Sequence, residues 1–456
     1  MQRLDALYDP IERDKLRSNG IAELPGQNRS VAETVRLLTA AAVGTIVEWY
    51  DFFVFATCAV LVFDKTFFPS SGQYTGILLG LSTYAVGFAA RPIGAIIFGS
   101  LGDKLGRKNA LVASMLLMGI ATFAIGLLPT YQDVGVIAPA LLVISRILQG
   151  IAVGGEATGA LTLVAESMPA QQRGFWVSFP MIGGPAANVL ASLTIMLAQF
   201  TLGPDAFSAW GWRLPFLASI LLVLFGLWVR RKIEESPAFV ALSAKPHAPT
   251  TPLAEAFAHY SSPMGKVFLV KAAENTFFYL FTTFFLVFLT QFLGKPRGAG
   301  LDALFWGSLL EVPVIMVSAY ISDQIGRRPV MFVGVLGAGA AGFLLFALDK
   351  SASQSTVLQL VLTALAFHGV IVGGMSAFFA ELFPTGVRYT AMSVSYQLAS
   401  VLGGSVAPII GTLLIDRTGQ PISVPIYATV VAIAALACIV VSRETKGFNL
   451  ANLRPE

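Results

Sequence analysis

Glu48, Asp51, Arg91, Arg146 and Glu156 stand inside stretches otherwise built of Ala, Val, Ile, Leu, Phe and Gly. Carboxylates take up and release protons, and Arg is permanently charged and grips carboxylates through two parallel hydrogen bonds. A charge at the centre of a bilayer costs about 2.5–3.5 kcal/mol even on lenient insertion scales, so such groups normally line a cavity and work there. Static ion pairs between helices are the rival reading, but buried pairs are poor sources of net stability. When ionised, the carboxylates of Glu48, Asp51 and Glu156 outnumber the guanidinium groups of Arg91 and Arg146. Burial and a neighbouring Arg act on a carboxyl group in opposite senses, which leaves one of the three poised to take a proton near neutral pH. We expect Asp51, with Glu48 beside it, to be the proton site, held or released through Arg146. Arg91 is expected to hold an anionic solute whose added negative charge the proton offsets.

These charges need a scaffold that puts them mid-membrane, and the composition supplies one. Hydrophobic residues make up 55% of the 456 positions and charged ones 12%, about half the charged share of a soluble domain. About 20 apolar residues cross the hydrocarbon as a helix. On that basis the sequence predicts twelve spans, at 36–63, 75–101, 109–128, 136–165, 175–201, 213–231, 266–292, 303–321, 329–348, 356–380, 390–414 and 422–441. At 1.5 Å per residue, Glu48 and Asp51 lie roughly 17–22 Å along the first span, and their i,i+3 spacing puts them on one face.

With both ends placed inside, most of the 30 Lys and Arg residues fall in inner segments, the positive-inside asymmetry. The first 34 residues lack an apolar h-region and read as a cytoplasmic tail. Cys58 and Cys438 both fall in apolar spans, which argues against a disulfide framework. A Pro-rich polar stretch at 232–265 reads as a linker. The predicted organisation is therefore a tail at 1–34, a six-helix bundle at 35–231, the linker, a second six-helix bundle at 266–442, and a tail at 443–456.

The two halves repeat. Asp103-x-x-Gly106-Arg107-Lys108 follows span two, and Asp323-x-x-Gly326-Arg327-Arg328 follows span eight. Glu166-x-x-Pro169-x-x-x-Arg173 follows span four, and Glu381-x-x-Pro384-x-x-x-Arg388 follows span ten. Matched motifs at nearly one offset indicate duplicated bundles related by an axis along the membrane normal.

The Asp103–Lys108 loop and its partial copy, with Arg146-Ile-Leu-Gln149-Gly150 in span four, resemble motifs of the major facilitator superfamily. Glu48-Trp49-Tyr50-Asp51-Phe52, Arg91-Pro92-Ile-Gly94, Gly154-Gly155-Glu156, Trp210-Gly-Trp212-Arg213-Leu-Pro215-Phe216 and Glu381-Leu-Phe-Pro384-Thr-Gly-Val-Arg388 resemble its metabolite:proton symporter family. The tracts around Thr83-Tyr84-Ala-Val-Gly87-Phe88 and Leu128-Pro129-Thr130-Tyr131 are most similar to the shikimate-type branch. The resemblance implies an all-α membrane protein of twelve helices in two bundles. It also implies proton-coupled uptake across a bacterial inner membrane, of organic acids or of zwitterionic osmolytes. It needs no cofactor beyond the proton gradient, and a monomer bearing its solute and protons suffices. Where many members place a second Arg, this chain has Gly386, so any gating there leans on Arg388 alone.

For the solute, Arg91, Glu156, Tyr50 and Gln149 are the first-half candidates. Glu274, Asn275, Tyr279 and Gln397 are those of the second half. Lys271 and Glu274 are spaced to pair with each other. Glu311 precedes Pro313, where a broken helix would expose backbone to a cavity. His368 is the one His inside a span and reads as an imidazole bonded to a neighbouring helix. No partner for Arg146 appears in the second half, which places coupling in the first. Asp103, Arg107, Lys108, Glu166, Arg173, Asp323, Arg327, Glu381 and Arg388 are expected to latch the inner face shut between the halves. No His/Cys metal cluster, phosphate-cradling Gly loop or Ser–His pair is visible, which leaves little for an enzyme to use. A proton antiporter is the other rival, but Gly184-Pro185-Ala-Ala-Asn188 lacks the trailing glycines typical of that class.

Overall fold

The computed structural model describes residues 31–69, 73–95, 97–98, 107–154, 157–231 and 252–448. Twelve long helices account for most of them, since an apolar chain surrounded by lipid must satisfy its backbone internally. In the first half these are α1 (Val31–Leu61), α2 (Gln73–Ala89, with 91–95 continuing it), α3 (Arg107–Gly126), α4 (Ile137–Ser167), α5 (Ala170–Gly211) and α6 (Arg213–Arg231). In the second half they are α7 (Ser261–Phe292), α8 (Arg297–Ile325), α9 (Arg327–Phe346) and α10 (Gln354–Glu381). α11 begins as Thr385–Ala399 and resumes as Val406–Thr418, and α12 is Ser423–Val441. The predicted linker is partly helical, with Pro252–His259 forming a short helix before α7. α7 therefore starts earlier than the apolar pattern implied, because its first turn is polar.

The packing of the two halves follows one plan. α1 lies against α5 and α6, α3 against α4 and α6, and α2 against α4. Six helices later the same scheme recurs: α7 with α11 and α12, α9 with α10 and α12, and α8 with α10. Small residues set the closest approaches. A Cβ on Gly150 would sit 2.0 Å from Gly87 O, and one on Gly154 would sit 1.9 Å from Arg91 O. α2 and α4 thus touch backbone to backbone, the usual way helices associate in lipid. The halves meet along α5 with α8 and α2 with α11, two contacts that the internal repeat interconverts. Gly326, at φ 107°, makes the tight turn between α8 and α9, a conformation open to Gly alone at little cost. That requirement explains the Gly of the Asp-x-x-Gly-Arg motif.

Candidate functional site

The first-half charges form a chain inside the bundle. α1 buries both Glu48 and Asp51. Thr122 on α3 donates its hydroxyl to Asp51 Oδ2 at 2.5 Å. Gln149 on α4 donates from Nε2 to Thr122 Oγ1 at 2.5 Å, and Arg146 Nη1 donates to Gln149 Oε1 at 2.6 Å. Asp51 and Arg146 are therefore linked through two neutral side chains instead of a direct ion pair. Asp51 Oδ1 and the Nε and Nη2 groups of Arg146 have no hydrogen-bond partner among the described residues. The Arg146 guanidinium instead lies over Phe55 at 4.0 Å and Phe52 at 4.6 Å. Arg91 is clasped similarly, 3.9 Å from the Phe88 ring centre and 4.4 Å from that of Phe52. Stacking on rings holds a desolvated guanidinium without neutralising it, so its donors remain available to an anion.

A cavity opens between the halves. Thr45 and Trp49 of α1 and Met181, Gly184 and Pro185 of α5 form one wall. The other wall carries Lys271, Glu274 and Phe278 of α7, Glu311 and Ile315 of α8, His368 and Val372 of α10, and Tyr396 of α11. The cavity, of about 30 Å³, has room for one or two waters and too little for a metabolite. Among the described residues the walls of this cavity stand close together. Trp49 stacks edge-on to Phe278 with ring centres 6.0 Å apart, and Tyr279 meets Phe88 at 5.6 Å, which seals α1 and α2 against α7.

The charged wall of this cavity lies in the second half. Lys271 Nζ is 2.6 Å from Glu274 Oε2 and 4.3 Å from the centre of the Tyr396 ring. Glu274 Oε1 is 3.3 Å from His368 Nε2, and the other imidazole nitrogen, Nδ1, bonds Glu311 Oε1. The imidazole therefore bridges two helices at once, where the sequence pointed to one neighbour. α8 runs unbroken through Pro313, so Glu311 contributes its carboxylate to the cavity and not exposed backbone.

Other expected solute contacts lie elsewhere. Tyr50 points into the first bundle, where its hydroxyl donates to Pro215 O at 2.9 Å and lies 3.1 Å from Thr194 Oγ1. That removes it from the cavity wall, because the i,i+1 neighbour of Asp51 leaves the helix on a different face. Gln149 is occupied between Arg146 and Thr122, and Arg91 sits behind Phe52 and Phe88. Asn275 donates to Ser400 on α11 at 3.1 Å. Tyr279 is fully buried among Trp49, Tyr84, Phe88 and Phe278. Gln397 is buried on α11 with Oε1 unpartnered among the described residues. Glu156 and Asp103 fall outside the described residues, as do the side chains of Arg107 and Lys108.

At the face that carries Val31 and Phe448, ionic contacts tie the halves together. Asp323 accepts from the backbone N–H groups of Gly174 and Phe175 at 2.9 and 2.8 Å, capping the start of α5 from the end of α8. Arg173 Nη1 reaches Glu381 Oε1 at 3.1 Å, and Arg388 Nη1 reaches Glu166 Oε1 at 2.6 Å, so each motif pairs with its copy. Arg327 braces the cluster with a two-pronged grip on Glu381 at 3.2 and 3.0 Å and a contact to Asp323 at 2.6 Å. Deeper in, Thr158 on α4 bonds Ser393 on α11. Ser322, Thr445 and Glu444, which no sequence motif marks, add further bonds to Arg327, Glu381 and the turn at Gly326. Their residue types carried no signal beyond polarity at a helix end.

Comparison with known proteins gives the arrangement its context. The family model described as "Sugar (and other) transporter" matches residues 37–294 and 305–455. The inner membrane metabolite transport protein YhjE of Escherichia coli (strain K12) is 37% identical over 420 residues, covering 90% of this chain and 94% of that protein. The shikimate transporter of the same organism is 36% identical over 405 residues, covering 87% and 92%. In fold, the chain is similar to the proton:xylose symporter XylE of the major facilitator superfamily, solved with 6-bromo-6-deoxy-D-glucose. The TM-score is 0.73 at 19% identity, over 93% of this chain and 98% of that one.

Proposed function

Because the chain belongs to the sugar (and other) transporter family of the major facilitator superfamily, and so is a multi-pass inner-membrane transporter and not an enzyme, we propose that it takes up a small carboxylate metabolite together with protons. Both chain ends then face the cytoplasm, and the ionic cluster of Asp323, Arg173, Glu381, Glu166 and Arg388 is the cytoplasmic latch of an alternating-access cycle. The observation that carries the coupling is the chain Asp51–Thr122–Gln149–Arg146. Among the described residues it leaves one buried carboxylate oxygen and two donor groups of one buried guanidinium unpartnered, joined through two neutral side chains.

Protonated Asp51 is neutral and leaves the bundle tightly packed. Loss of the proton places a negative charge within the field of Arg146, and buried charges of opposite sign draw together when their hydrogen-bond partners can rearrange. In this reading Asp51 loads from one side and discharges to the other as the bundles rock. The cation at the cavity wall is Lys271, which we assign to the carboxylate of the solute in place of Arg91. The similarity to a shikimate transporter supports a hydroxylated carboxylate. The Lys271–Glu274 pair also presents both signs of charge to the cavity, which suits a zwitterion as the second reading.

The test uses purified protein in liposomes with labelled shikimate and, separately, a labelled betaine. Asp51→Asn should cut accumulation driven by a pH gradient by the share its proton supplies, while leaving exchange of labelled for unlabelled solute across the membrane. Normal driven accumulation in that variant sinks the role given to Asp51. Saturable uptake of betaine and not of shikimate replaces the first solute class with the second.

A further inference from the structure

Both ring nitrogens of His368 have carboxylate partners, which constrains how many protons the contact needs. A neutral imidazole has one N–H donor and one bare acceptor nitrogen, and an ionised carboxylate only accepts. Both nitrogens of His368 face carboxylate oxygens, Nδ1 at Glu311 Oε1 and Nε2 at Glu274 Oε1. Two ionised carboxylates about a neutral ring would therefore set one acceptor against another in a dry site, at the full cost of desolvating both. The contact is satisfied only if the three groups share one proton more than that. It sits either on the ring, as imidazolium, or on one of the carboxyl groups.

The surroundings fit such a proton. Lys271 on α7 is the one further charge among the cavity-lining residues, and Tyr396 on α11 is the one further ionisable group there. The lining residues of α1 (Thr45, Trp49) and α5 (Met181, Gly184, Pro185) carry no ionisable group, but buried Glu48, next to Trp49, acts electrostatically on Tyr396, and its charge when ionised favours the extra proton further. With the extra proton, Lys271, His368, Glu274 and Glu311 sum to zero. Without it they sum to minus one. Glu311 Oε2 has no hydrogen-bond partner among the described residues, so one carboxylate oxygen remains open to receive a proton as a solute anion enters. Unlike Asp51, which is enclosed by α3 and α4, these groups sit on the cavity wall itself.

We infer that Glu274, His368 and Glu311 form a second proton-carrying site, in the second half and in contact with the solute cavity, whose proton draws α7, α8 and α10 together in the closed conformation. The inference rests on the chain's being a proton-coupled carrier but not on the role of Asp51 or on the identity of the solute. It places part of the coupling in the half where the sequence pattern showed no counterpart of Arg146.

The proton-to-solute ratio tests it, because that ratio is read from the accumulation reached at balance and not from the rate. Liposomes are loaded with shikimate as the probe, or betaine if only betaine is carried, under a pH difference of about one unit with the membrane potential clamped at zero. Each coupled proton then multiplies accumulation by about tenfold by linkage. Glu311→Gln keeps the shape of the side chain and gives the bare imidazole nitrogen a permanent amide donor, so the shared proton is no longer needed. Accumulation should fall by about tenfold relative to the unaltered protein. An unchanged ratio overturns the inference and leaves the Asp51 reading standing. The reverse result, a normal ratio in Asp51→Asn with a reduced one in Glu311→Gln, overturns Asp51 and supports the second site. Should Glu311→Gln fail to fold, nitrogen NMR of His368 in a His247→Gln/His259→Gln background gives the decision. Two N–H groups that give way to one as the pH is raised support the site. A single N–H unchanged from about pH 5 to 9, across the ordinary range of His titration, with no carboxyl carbon of Glu274 or Glu311 titrating over that range either, refutes it.

Discussion

Asp323→Asn offers a direct measure of how strongly the latch holds the closed face. Asp323 makes two kinds of contact, and only one of them can favour a state. Its 2.6 Å bond to Arg327 lies within the second half and survives when the halves part. Its bonds to the N–H groups of Gly174 and Phe175, at 2.9 and 2.8 Å, cross between the halves and are lost on opening. A ligand or a contact shifts a conformational equilibrium only by its differential energy between the states. Asn keeps one accepting oxygen and loses the other together with the charge that faces the α5 N-terminus. One charge-assisted bond is worth about 1.5–3 kcal/mol, so about 2 kcal/mol of preference for the closed face should disappear. At 1.4 kcal/mol per tenfold, that is about a 30-fold rise in the population open to the cytoplasm. The assay places a cysteine at Ser393, whose side chain bonds Thr158 across the halves, in a Cys58→Ser/Cys438→Ser background. An impermeant maleimide is then applied to inverted vesicles. Labelling should accelerate by about that factor in the Asp323→Asn protein. Gly174→Ala should act the same way with no change of charge, since a Cβ there would lie 2.6 Å from Arg327 Nη1 and 2.8 Å from Asp323 Oδ1. Equal labelling rates in all three proteins would refute the latch.

Two further outcomes follow from the packing. Tyr50→Phe removes the donor to Pro215 O and should lower stability by about 1 kcal/mol, read as a lower thermal midpoint in detergent. KM should be unchanged, and a large rise in KM would return Tyr50 to the solute site. Gly150→Ala forces α4 away from Gly87 O on α2, an overpacking that costs about 1–3 kcal/mol or more. Folded yield should drop sharply, whereas Gly184→Ala, whose Cβ would meet nothing within 4 Å, should be neutral. Comparable yields of the two variants would contradict the close α2–α4 contact.

The helices and their repeat were legible because hydropathy is a local property: each span declares itself by its own residues, whatever its neighbours are. Boundaries slipped where the local signal changed sign before the helix ended, as at the polar first turn of α7. The ionic cluster was partly legible for the same reason, since Asp323, Arg327 and Glu381 recur as copies of first-half residues. Its wiring was not. Nothing in the order of residues says that Arg173 meets Glu381 and Arg388 meets Glu166, crossing between the copies. That pairing depends on how two bundles face each other.

Asp51 and Arg146 were singled out because charge inside an apolar run is costly wherever it points. Which way it points was a different matter. Thr122 and Gln149 complete the link between them, yet a Thr or Gln within a span carries little energetic signal of its own. His368 and Glu311 stood in the sequence as isolated polar residues 57 positions apart, and their meaning appeared only when α8 and α10 brought them into contact.

The amino-acid sequence by itself determined that this chain crosses a membrane twelve times, that it is two copies of one bundle, and that charge is buried in it. These follow from the free energy of placing each side chain in lipid or water, summed over short windows. The tertiary structure alone decided which buried charges share a cavity, which hide behind aromatic rings, and which clasp one half to the other. Those outcomes depend on distances of a few ångströms between helices remote in sequence, where a single turn of one helix moves a side chain from the solute path to the bundle core.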